Sequence, residues 1–195
     1  MTGAWPFLLE PPFTADRTYL HGADIFEGLV GRLGAAADIR LTLTVASDCA
    51  IEVCDVSPSD GAADRCGAIS WLDAGVRRQL DLKRRGDLPI ARRVPLDEAA
   101  LIAGASFDGD RAALPAGDAP LMRRVAAASM HLLGLHCPDD YWAIAEIACA
   151  RVPARRAPAS VEFRRLLGGR YWKATATSPD GGGGTLLLAR GGPRR

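Results

Sequence analysis

One arrangement occurs twice in this chain, and it limits the folds available more than any other feature. Each half reads as a helix, then antiparallel strands, then a Ser-Pro-(Ser)-Asp-Gly turn, then a final strand. In the first half Asp24-Ile-Phe-Glu27 predicts a helix start, with Asp24 as N-cap and Glu27 at the reciprocal position of a capping box. Ile25, Phe26, Leu29, Val30 and Leu33 mark one apolar stripe, and Gly34 ends the helix. Ile39, Leu41, Leu43 and Val45 alternate with polar residues as a half-buried strand does. Cys49–Val56 and Gly67–Leu72 are the next strands, with the loop Ser57-Pro58-Ser59-Asp60-Gly61 between them.

The second half repeats the plan. Asp118 and Pro120 open a helix whose stripe is Met122, Val125, Ala126, Ser129, Met130 and Leu133, ending between Gly134 and Pro138. Strands are expected over Trp142–Arg151, around Val161 to Leu167, over Tyr171–Thr177 and over Thr185–Ala189. Gly168-Gly169 and Ser178-Pro179-Asp180-Gly181 supply the turns. The expected fold class is α+β, in two helix-plus-antiparallel-sheet halves: residues 1–72, a basic connector over 73–95, and residues 96–195. Pro95–Ala103 has helical character, and Phe107-Asp108-Gly109-Asp110 reads as a hairpin turn. Turn chemistry converges easily, so two unrelated Pro-Asp-Gly turns in another mixed α+β fold is the competing reading.

The 195 residues suffice for a core that buries roughly 70% of the unfolded surface without staples. Hydrophobic residues at 48% and charged residues at 24% exclude a disordered chain. No apolar run reaches the ~18 residues of a membrane span, and the first residues lack a secretory pattern. Five cysteines without CxxC spacing point to reduced thiols, so the expected setting is cytoplasmic. The net charge of +1 conceals an asymmetry: residues 1–64 hold ten acids and three bases, and residues 65–195 thirteen acids and twenty-one bases. Twenty-two of the bases are arginine, which reads either as a bacterial-type, GC-rich coding bias or as a functional surface.

Three groups of residues have chemical potential. His21, Asp24 and Glu27 place an imidazole and two carboxylates around a helix start, suited to moving a proton or activating water. Helix capping alone also accounts for the two acids. His131, His136 and Cys137 precede Asp139 and Asp140, but the i, i+5 spacing sets the histidines about 140° apart, so no metal site is expected and a helix-terminating loop is the reading. Arg77, Arg78, Lys83, Arg84, Arg85, Arg92 and Arg93 form a basic stretch, read either as a solvated connector or as a phosphate-contacting surface, with Arg84, Arg85, Arg92 and Arg93 as the ligand-binding candidates. It lacks the interleaved aromatics and recognisable module of a nucleic-acid binder. Gly181–Gly184 opens no helix and reads as a hairpin tip rather than a phosphate cradle.

The helix wrapped by a bent antiparallel sheet, occurring twice, resembles a double hotdog fold. Trp5-Pro6-Phe7-Leu8-Leu9-Glu10 is similar to the segment near the start of hydroxyacyl-carrier-protein dehydratases, and His21-Gly22 lies where these have a histidine-rich loop. The proline-glycine pair of that family is missing, and Glu27 follows His21 by only six residues, closer than the acid of those dehydratases. The thioesterase branch has an acid in or before the helix, a role open to Asp24 or Glu27. The resemblance implies an acyl-coenzyme A or acyl-carrier-protein partner, no cofactor, and chemistry of dehydratase, hydratase or thioesterase type. It implies a thioester carbonyl polarised at the helix N-terminus. The other reading is a non-catalytic hotdog that binds a small apolar ligand or serves in assembly, as a monomer or homodimer.

Overall fold

Ile25, Phe26, Leu29 and Val30 recur at helical spacing, and their burial holds the first helix, α1 (Gly22–Leu33), in place. The computed structural model describes residues 6–14, 19–56 and 62–191. The chain divides into two compact units, Met1–Leu96 and Asp97–Arg195.

The first unit begins with β1 (Phe7–Leu9) and β2 (Phe13–Thr14), followed by α1. Next come β3 (Ala37–Leu43), β4 (Cys49–Asp55), β5 (Arg65–Asp73), β6 (Val76–Pro89) and β7 (Arg93–Val94). Its antiparallel sheet has the order β1-β4-β6-β5-β3. β2 and β7 form a separate parallel pair. Phe26 and Leu29 join Ile39, Leu41, Ile51, Val53, Ile69 and Leu82 in a core whose members are fully buried. Gly28 lets α1 approach β1, since a Cβ there would meet Leu9 Cδ1 at 2.5 Å.

The second unit runs α2 (Glu98–Leu101), β8 (Ser106–Asp108), β9 (Arg111–Leu114), α3 (Leu121–His136) and β10 (Trp142–Arg151). It continues with β11 (Ala159–Leu166), β12 (Tyr171–Thr177) and β13 (Gly183–Arg190). Its sheet, again antiparallel, has the order β10-β13-β12-β11-β9-β8. α3 buries Leu121, Met122, Val125, Ala126, Leu132 and Leu133. The Ser178–Gly181 turn closes as the residue types dictate: Gly181 N–H donates to the Ser178 carbonyl at 2.9 Å, and Gly182 N–H to Asp180 Oδ1 at 2.8 Å. The corresponding Ser57–Gly61 loop lies outside the described residues.

Three expectations are corrected. Asp24 is not the N-cap: His21 holds that position with extended backbone, and Asp24 falls inside the first turn with Glu27 a turn further on. The capping box is therefore absent. Asp118 is exposed before α3, whose cap position is Pro120. The segment expected as a connector over 73–95 holds β6, which pairs with β4 on one side and β5 on the other. Its bases are compatible with a strand because carboxylates of neighbouring segments meet them. Arg77 binds Asp38, Arg78 Nε lies 3.9 Å from Asp73, and Arg84 2.6 Å from Asp48, while the buried Asp81 of β6 is met at 2.8 Å by Arg65 of β5. The acidic first 64 residues thus neutralise a basic strand in the same unit.

Candidate functional site

The approach to α1 is fixed from both sides. Leu20 N–H donates to the Ser47 carbonyl at 2.7 Å, which anchors the residue before His21 to the β3–β4 loop. The His21 carbonyl then accepts the amides of Asp24 at 2.9 Å and Ile25 at 3.1 Å, starting the helix. His21 caps the helix with its backbone only, so the first amides, Gly22 and Ala23, have no intrahelical acceptor.

Asp24 lies on the buried face of α1 with 7% of its surface exposed. A carboxylate in a first helical turn is favoured by the positive end of the helix dipole. Its Oδ2 accepts a hydrogen bond from Thr14 Oγ1 at 3.4 Å, and Thr14 is itself 2% exposed. His21 and Glu27 are half-buried. The three residues singled out in the sequence thus fall at the cap and in the first two turns of α1, and Thr14 joins Asp24 there. The sequence carries no sign of Thr14, because it reaches Asp24 through the pairing of β2 with β7, far along the chain.

The four candidate arginines do not form one surface. Arg84 and Arg85 are successive residues of β6 and point to opposite faces. Arg84 is bound to Asp48, which holds the Asp48 carboxyl below the usual carboxylate range and raises the guanidinium. Its Nε is buried and makes no hydrogen bond among the described residues. Arg85 pairs with Asp87 at 2.8 Å and Glu52 at 3.5 Å. Arg92 lends its carbonyl to the Phe13 amide at 3.0 Å. Arg93 places its guanidinium 5.1 Å from the centre of the Phe13 ring.

In the second unit, His131 and His136 of α3 part company as their spacing requires. His131 lies against Phe107 at 4.8 Å and His136 stacks on Trp172 at 5.8 Å. Cys137 Sγ accepts from Arg165 at 3.8 Å. No group of three or more metal-ligating side chains is found among the described residues.

Cys49, Cys66 and Cys149 are buried, and Cys54 and Cys137 half-buried. Burial pushes the Cys66 thiol up to about 11 from an ordinary 9.0, which disfavours the thiolate. The native state holds this proton more tightly than the unfolded chain does. Its stabilising contribution is complete below pH 9 and is lost as the pH rises toward about 11. Denaturant midpoints at pH 8 and pH 10.5 should accordingly fall with pH, and by less in Cys66→Val. An equal fall in both proteins would contradict this.

No helix among the described residues is long and apolar enough to cross a membrane. No protein-family model matches the chain, and no curated protein matches it. Solved structures do. The TesB protein of Mycobacterium avium subspecies paratuberculosis superposes with a TM-score of 0.52 at 11% identity, covering 98% of this chain and 94% of that one. A protein assigned as a thioesterase II from Thermobifida fusca gives 0.49 at 10% identity, with 97% and 93% covered. The dehydratase domain of RzxB from Pseudomonas fluorescens gives 0.46 at 13% identity, with 95% and 92% covered. At 11% identity over nearly the whole of both chains, what is shared with the TesB protein is the backbone arrangement, and the chain has the hotdog fold.

Proposed function

We propose that the chain is a tandem hotdog protein acting on an acyl thioester carried by coenzyme A or an acyl carrier protein. The observation that carries this reading is the buried Asp24 carboxylate in the first turn of α1, three residues from the half-buried His21. The thioester carbonyl would lie at the first amides of α1, which have no intrahelical acceptor, where N–H donors and the helix dipole polarise it. For dehydration, one of the pair removes the α-proton while the other protonates the departing β-hydroxyl. For hydrolysis, a carboxylate takes a proton from water as the oxygen attacks the carbonyl, and returns it to the sulfur as the C–S bond breaks and the thiol leaves. Glu27 is the second acid for either role. Arg84, whose partner Asp48 follows the Ser47 that anchors Leu20, is the arginine we assign to an anionic part of the ligand. The first turn of α3 carries Arg123 and Arg124 in place of an acid, which favours a single centre per chain.

A melting screen against coenzyme A, acyl-coenzyme A and acyl-pantetheine of graded chain length tests this. A ligand at one hundred times its dissociation constant adds about 2.7 kcal/mol, which raises the midpoint of a chain this size by roughly 5–10 °C. A shift that grows with acyl length is the expected result. A cooperative melt unmoved by all of them overturns the thioester reading and leaves the non-catalytic one.

A further inference from the structure

We infer that Thr14 is a positioning residue for the Asp24 carboxylate, and that β7 holds it in place through β2. This inference rests on the reading of Asp24 under Proposed function. Thr14 Oγ1 donates to Asp24 Oδ2, both residues being more than nine-tenths buried. An O–H donor on one oxygen of a buried carboxylate restrains the plane of the group and so the direction in which the carboxylate meets substrate or water.

β2 is only two residues long and takes no part in the main sheet of its unit, so its position depends on β7. Three contacts make that link. Phe13 and Thr14 are in parallel register with Arg93 and Val94, the Phe13 amide donates to the Arg92 carbonyl, and the Arg93 guanidinium covers the Phe13 ring. Arg92 and Arg93 therefore serve the site from behind, through Phe13 and Thr14, rather than as ligand contacts. A two-residue strand ending a loop between β1 and α1 has little stability of its own, which explains why a segment some eighty residues away is needed to hold it.

The test measures kcat and KM on the acyl-coenzyme A that gives the largest melting shift, in the wild type, Asp24→Asn, Thr14→Val, Thr14→Ser and Arg93→Ala. Thr14→Val should lower kcat roughly ten- to a hundredfold with KM nearly unchanged, and Thr14→Ser should restore it. Arg93→Ala, a change at an exposed residue with its melting curve taken alongside, should lower kcat about two- to fivefold, again without moving KM. It decides the matter if Thr14→Val does not fold. Loss of turnover in Asp24→Asn together with wild-type kcat in Thr14→Val overturns the role of Thr14 alone. So does a raised KM with unchanged kcat in Arg93→Ala, which would make Arg93 a ligand contact. An Asp24→Asn protein as active as the wild type, or a wild type inactive on every thioester, overturns the reading of the site and this inference with it.

Discussion

Asp24→Asn is expected to lower turnover of an acyl thioester by 10²–10⁴ while the protein still melts cooperatively, the range typical of losing a positioned proton-transfer group. Asparagine has the same shape and can still accept from Thr14 Oγ1 through its amide oxygen, so the contact at 3.4 Å can persist. What it loses is basicity and the favourable placement of a negative charge in a first helical turn, worth about 0.3–1 kcal/mol. Stability should therefore fall little and turnover greatly. Glu27→Gln separates the two acids. Glu27 is half-buried a full turn beyond, and its substitution should cost less than about tenfold. Steady-state kinetics and a melting curve on both variants check this. A larger loss in Glu27→Gln than in Asp24→Asn would transfer the role to Glu27.

Arg124→Met is expected to produce the largest loss of stability, about 2–4 kcal/mol, seen as a midpoint roughly 5–15 °C lower. Arg124 is 3% exposed in the first turns of α3 and spreads its guanidinium over three backbone carbonyls. Nε donates to Ala119 at 3.0 Å, one terminal nitrogen to Pro115 at 2.5 Å and the other to Ala157 at 2.6 Å. It thereby ties the segment entering α3 to the β10–β11 loop. Burial lowers its affinity for the proton, the mark of a cation whose partners are neutral. Methionine fills the volume of the stem but leaves all three carbonyls without that donor. Arg124→Lys should rescue only part, since one ammonium on a flexible stem cannot reach three diverging acceptors. A melt of Arg124→Met within about 1 °C of the wild type would show that water replaces the guanidinium at no cost.

The two long helices were legible because their apolar stripes are long and periodic. α3 ends where Gly134 to Pro138 predicts, and β10 spans Trp142–Arg151 as expected even though its alternation is poor. β12 spans Tyr171–Thr177, the segment with the strictest alternation. The failures share a cause. Asp24 and Glu27 satisfy the spacing of a capping box, yet the helix begins three residues earlier, because Leu20 is pinned to Ser47 and His21 takes the cap with its backbone. A cap is a local preference worth about 1 kcal/mol, and a buried backbone hydrogen bond with the packing around it outweighs it.

β6 was illegible for a related reason. A run of Arg77, Arg78, Lys83, Arg84 and Arg85 has the composition of a solvated segment, and no window of the sequence holds the Asp38, Asp48 and Glu52 that meet those bases. The sequence by itself determined the periodic elements, the turn at Ser178–Gly181 and the chemical residues His21, Asp24 and Glu27, because each is written within a few neighbouring positions. Only the tertiary structure decided that the basic stretch is a strand, that the four arginines have different occupations, and that Thr14 faces Asp24. Those outcomes depend on strand pairing between distant segments, and pairing is set by the packing of the whole unit.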